Sequence, residues 1–151
     1  MMRVMALALL FAIPLTPNQQ SREKQIHIIP TSDVVKVAWM AARDEGYDPN
    51  AVGTFLDELR VKGTEPIEGY TSIGLYVNVQ LTRSYSIRLT TGDVVDATSC
   101  TLFRYPDLIK YKKELMRGFG TQEVSDEQIA KEVGCDKLDV LPAKSSGSRQ
   151  K

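Results

Sequence analysis

The 151-residue chain carries a single histidine, His27, and two cysteines, Cys100 and Cys135. One histidine excludes any metal or catalytic site built on several imidazoles. The cysteines lie far apart and form no CxxC pair, which argues against a dithiol redox motif and a clustered zinc site. There is no excess of either charge, since Lys+Arg and Asp+Glu number 19 each. The global field therefore draws the chain toward neither nucleic acid nor an anionic membrane. No apolar run reaches the about 20 residues that a spanning helix needs. Thr90-Thr91-Gly92-Asp93 has one glycine and precedes a strand pattern, whereas a phosphate cradle takes several glycines and then a helix. No motif calls for a cofactor.

What is present begins with a leader. Arg3 supplies a positive charge, residues 4–13 (VMALALLFAI) are uniformly apolar, and Pro14 and Pro17 stop any helix. This suits the roughly 7–15-residue core of a secretory signal. The alternative is a buried N-terminal element of a cytosolic protein. The expected organisation is a signal peptide over 1–20, one α+β domain over 21–143 and a disordered polar tail over 144–151. After cleavage no membrane span remains. In an oxidising compartment Cys100 and Cys135 can pair as one disulfide. The alternative is two buried thiols.

Within the domain, Thr31 or Ser32 is placed to cap a first helix with Asp33 in its first turn. Its apolar face is Val34, Val35, Ala38, Ala41 and Ala42, and Gly46 ends it. Trp39 and Met40 read as packing residues. Ile26 to Ile29 suggests a short strand, and residues 52–61 are ambiguous, with strand favoured over helix. Ile73 to Leu81 alternates strictly, Tyr85 to Leu89 repeats the pattern, and Val94 to Phe103 continues it. Breaks at Arg83-Ser84 and Thr91-Gly92 predict a sequential antiparallel meander. Gly92 is expected in the left-handed region of a hairpin bulge. Pro106 opens a second helix that Gly118 can end. Ser125 with Gln128 forms a capping box for a third, with Val124 and Ile129 as staple. Residues 138–141 suggest a last strand. The fold class is α+β: an N-terminal helix on a small meander over 31–103, and a helical extension over 104–143.

Candidate chemistry is sparse. His27 with Cys100 lacks any signature of a thiol nucleophile and base. Asp93 with Asp96, and Asp57 with Glu58, are carboxylate pairs of the kind general acid–base work uses, but no ligand run surrounds them. They read as ordinary surface carboxylates. Lys110, Lys112, Lys113 and Arg117 read as a solvated basic helix face. Among the meander tyrosines, Tyr70, Tyr76 and Tyr85, an outward Tyr76 beside Asn78 and Gln80 makes the candidate recognition surface.

Glu45-Gly46-Tyr47 after an apolar helix, and Thr91-Gly92-Asp93-Val94 at a hairpin, resemble PepSY-like domains over about residues 31–103. That resemblance implies a helix laid across a small antiparallel sheet in a broadly cystatin-like layout. It brings no catalytic residues and implies a binding or inhibitory module. The expectation is thus an exported, non-enzymatic binding or inhibitory protein, with an unknown protein or peptide partner in the envelope or medium and no nucleic acid. One alternative is a small-ligand carrier with a cavity between helix and sheet. A carboxylate hydrolase ranks last.

Overall fold

The computed structural model describes residues 27–59 and 67–142. The leader over 1–20 and the tail over 144–151 lie outside the described residues. Chain order is α1 (Thr31–Asp44), β1 (Thr54–Glu58), β2 (Tyr70–Val77), β3 (Gln80–Arg88), β4 (Val94–Asp96), β5 (Thr101–Arg104), α2 (Pro106–Phe119), α3 (Asp126–Val133) and β6 (Asp139–Pro142). The six strands form one sheet in sequence order. Neighbours pair antiparallel from β1 to β5, and β6 joins β5 parallel. The class is α+β, as expected. The parallel last pair is not a meander step. A parallel neighbour needs a crossover connection, which α2 and α3 supply.

Period-two alternation sorts the strands onto two faces. Ile73, Leu75, Tyr85, Ile87, Val94 and Phe103 point to one face and form the main core with α1 and α2. Val34, Val37, Ala38, Ala41 and Ala42 of α1 are buried there, while Val35 is 36% exposed. Val37 thus replaces Val35 on the expected stripe, because the helix settles its small residues centrally against the sheet. Met40 is buried and Trp39 packs partly, both as packing residues. Val95 and Leu102 point to the opposite face, where Ile129 and Ala130 of α3 cover them with Cys135 and Leu138. Each buried aliphatic side chain contributes about 1.5–3 kcal/mol of transfer free energy.

Several boundaries differ from expectation. The cap of α1 is Pro30, whose extended carbonyl accepts from the N–H groups of Asp33 and Val34, and no side chain caps it. Residues 27–30 form no strand; Ile29 makes one backbone bond, to Leu89. The alternating run from Ile73 to Leu81 is not one strand. It reverses at Asn78 and Val79, both at positive φ (51° and 61°), so Val77 faces Gln80. A two-residue hairpin preserves alternation on both sides, which hides it in the pattern. Arg83-Ser84 lies inside β3, not at a break. The run from Val94 to Phe103 divides at the turn after Asp96. The second helix passes through Gly118 and ends at Gly120 (φ 64°). Ser125 caps α3 by accepting from the Gln128 N–H at 3.2 Å, which is half of the expected capping box; the Gln128 side chain donates to Glu132 at 3.0 Å.

Candidate functional site

At the β3–β4 connection, the Arg88 carbonyl accepts from the N–H of Gly92 at 2.8 Å and the Arg88 N–H donates to the Asp93 carbonyl. Gly92 takes the left-handed conformation (φ 72°), as expected. The turn places Asp93 inside the protein, not on its surface, with 1% of its area exposed. Lys112 Nζ and Arg104 Nη1 both donate to its Oδ1 at 2.6 Å, and the Thr91 hydroxyl donates to Oδ2 at 2.6 Å. Burial pushes the Asp93 carboxyl up. The adjacent Lys112 ammonium, with hydrogen bonds from Lys112, Thr91 and Arg104, outweighs this and holds it below the usual range. Lys112 is therefore no part of a solvated face: it is 3% exposed. Its stem follows the buried side of α2 to reach a charge whose burial would be prohibitive alone. Arg104 also binds Asp126 at 2.6 Å, which fastens the start of α3 to β5.

A second cluster continues the seam. Arg88 donates to Glu132 of α3 at 2.9 Å, and the Tyr70 hydroxyl donates to the same carboxylate at 2.8 Å. The Arg88 hydrogen bond outweighs the desolvation of Glu132 and keeps its carboxyl low. Burial, then Glu132, pushes the Tyr70 hydroxyl upward. These ion pairs hold α2 and α3 in place. Both Asp93 oxygens accept, Oδ1 from Lys112 and Arg104 and Oδ2 from Thr91. Asp96 is buried too, and its Oδ1 accepts from the Thr98 and Ser99 N–H groups as a turn cap. Asp57 Oδ1 accepts from the Glu58 N–H at 2.8 Å. Asp93, Asp96 and Asp57 thus each accept hydrogen bonds from neighbouring groups.

Cys100 and Cys135 form a disulfide, with Cα atoms 5.8 Å apart. It ties the β4–β5 turn to the segment after α3, and it removes the Cys100 thiol from any pairing with His27. His27 stacks on Phe119, with centroids 6.2 Å apart. Glu45 of the Glu-Gly-Tyr motif also has a structural role that the sequence did not disclose. It accepts from the Tyr85 hydroxyl at 2.6 Å and pairs with Arg83 at 3.2 Å, joining the end of α1 to β3.

The candidate recognition residues lie at the other end of the sheet. Tyr76 points away from α1 and stacks on Phe55, with centroids 5.1 Å apart and planes 8° from parallel. Gly74 makes room for this: a Cβ there would lie 2.8 Å from Tyr76 Cε2 and 2.9 Å from Leu81 Cδ1. Asn78 is at the hairpin tip and Gln80 begins β3, both exposed. The Asn78 N–H donates to the Gly53 carbonyl at 2.9 Å, pinning the tip to the turn before β1. A separate cavity of about 590 Å³ lies between α1 and β1–β2, lined by Ile29, Val34, Leu56, Ile73 and Leu89 among others. Among the described residues no group of three His, Cys, Asp or Glu side chains could hold a metal, and no helix is long and apolar enough to cross a membrane.

No family model matches the chain. No curated protein matches it. Among solved structures, the fold is similar to a chain in a type VI secretion system effector-immunity complex from Pseudomonas protegens. The TM-score is 0.61 at 21% identity, over 73% of this chain and 92% of that one. At that identity the likeness is one of fold.

Proposed function

We propose that this chain is an exported, non-enzymatic binding module that acts by holding a protein partner, as an immunity protein holds its effector. The observation that carries the reading is the fold likeness, which spans 92% of a chain found in an effector-immunity complex. The Cys100–Cys135 disulfide and the apolar leader support an oxidising compartment. The PepSY-like resemblance over 31–103 points the same way, to binding or inhibition.

The test is competition between kin. Source cells lacking the protein are mixed with attacker cells that have a working type VI apparatus. The deletion strain should be outcompeted, and should survive when the attackers' apparatus is disabled. A copy with residues 1–20 should restore protection, and one without them should not. Protection by occupancy should also titrate, failing when effector exceeds the chain. Equal survival of deletion and parental strains overturns the reading. Toxicity of the chain itself on export would place it on the effector side.

The cavity between α1 and the sheet supports a second reading, a carrier of a small apolar ligand, since its volume lies in the range of ligand sites. Native mass spectrometry of protein purified without detergent would show a bound molecule. A bare mass with full activity would reject it.

A further inference from the structure

We infer that the β2–β3 hairpin tip, with the Phe55–Tyr76–Leu81 face beside it, is the surface that docks the protein partner, and that Val79 is its leading contact. The inference rests on the binding reading above and deepens it. Asn78 and Val79 both sit at positive φ. Asn tolerates that conformation and Gly would be the usual second residue. Val is β-branched, and in the left-handed region it is a genuine outlier. Its side chain is 84% exposed, so no packing within the described residues compensates the strain. A strained residue that supports nothing around it is a candidate for function.

The surroundings form a coherent patch. Val52, in the turn pinned to Asn78, is 97% exposed, Leu81 is 43% exposed and Phe55 is 40% exposed. Gly74 lets Tyr76 and Leu81 lie flat over the sheet. The tip is pinned at one point, where the Gly53 carbonyl accepts from the Asn78 N–H, and the two segments pack so closely there that a Gly53 Cβ would lie 2.7 Å from the Asn78 side chain. α3 covers β4–β5 on this same face and reaches Tyr70 and Arg88 through Glu132, while Phe55, Leu81 and Val79 at the hairpin end stay exposed.

The chemistry of the patch selects its occupant. Residues 70–82 and 51–56 carry no charge, and the exposed Asp57, opposite Gly74 at the edge of this face, adds a negative one. Nucleic-acid phosphates and anionic lipid headgroups would meet no counter-charge here. A complementary surface is an apolar recess on a folded protein, rimmed by groups that hydrogen-bond Asn78 and Gln80, with a donor or cation where it meets Asp57. A second copy fits less well. Two tips meeting head to head would cover far less than the about 800 Å² per partner of a stable interface. A recess that encloses the tip also buries its backbone and flanks.

Two substitutions test this, because both suit the turn. Val79→Gly removes the side chain and Val79→Asp places a charge in the patch. In the kin-competition assay with titrated expression, the amount of chain needed for half protection should rise about tenfold or more for each. The melting midpoint of each purified variant should hold or rise by about 2–4 °C. Lys113→Ala, on the exposed face of α2, should leave protection unchanged. Full protection by both Val79 variants, beside a protective parent chain, overturns the docking surface and leaves the binding function standing. No protection by the parent chain overturns both. Concentration-dependent dimerisation abolished by Val79→Asp would assign the patch to a second copy and overturn the heterologous partner.

Discussion

Lys112 occupies a stretch of α2 that reads as a lysine-rich outer face, yet its ammonium ends 2.6 Å from the buried Asp93 carboxylate. Removing it leaves a desolvated anion with the Arg104 guanidinium and the Thr91 hydroxyl. Lys112→Met should destabilise the fold by about 3 kcal/mol in urea unfolding. The pair Asp93→Asn with Lys112→Met should lose less than the sum of the two single changes. A single-variant loss below about 1 kcal/mol would show the pair to be solvated. Asp93 and Glu132 both titrate below their ordinary range. Their contribution is therefore fully present above the unfolded carboxylate values near about pH 4, and is lost as pH falls through the lower folded values. The urea midpoint should drop steeply on acidification below that point, and Asp93→Asn should flatten the drop. None of this was legible beforehand, because a buried Asp–Lys pair needs two residues distant in sequence. Asp93 looks like a hairpin residue and Lys112 like its lysine neighbours. Charge type is visible in a sequence, but solvation is not.

Elements were legible where local chemistry acts alone. The Ser125 cap, Pro106 at the first turn of α2 and the left-handed Gly92 all involve neighbours within a few residues. The Asn78–Val79 reversal was missed because a two-residue turn leaves the period-two pattern unbroken, and Val in place of Gly removes the usual marker. Gly53 shows the cost of altering that corner. With φ +79° and 2.7 Å to the Asn78 side chain, Gly53→Ala should lose about 1–2 kcal/mol in thermal unfolding. The disulfide closes a separation of 35 residues, which corresponds to about 4 kcal/mol by loop entropy. Reduction should lower stability by that order, and amide exchange should rise first in α3 and β6, the segments it fastens. Uniform exchange after reduction would mean that the Arg104–Asp126 and Arg88–Glu132 pairs hold α3 unaided.

At the scale of the molecule, one sheet with two unequally covered faces organises everything. α1 and α2 seal one face, α3 seals the β4–β5 end of the other, and the remaining corner carries the aromatic pair and the hairpin tip. The α+β class, the helix-first order and the antiparallel sense of the middle strands follow from sequence periodicity, because apolar spacing is a local record of which face each residue must bury; the individual strand ends and pairings do not. The absence of a multi-histidine site or a CxxC motif is likewise a property of composition and spacing. Only the tertiary structure decided that Asp93 and Lys112 meet in the interior, that Glu45 receives Tyr85, that β6 adds in parallel, and that Tyr76 shares an open corner with Phe55 and Leu81. Each of these depends on where distant segments come together, and long-range packing and desolvation leave no periodic trace in the chain.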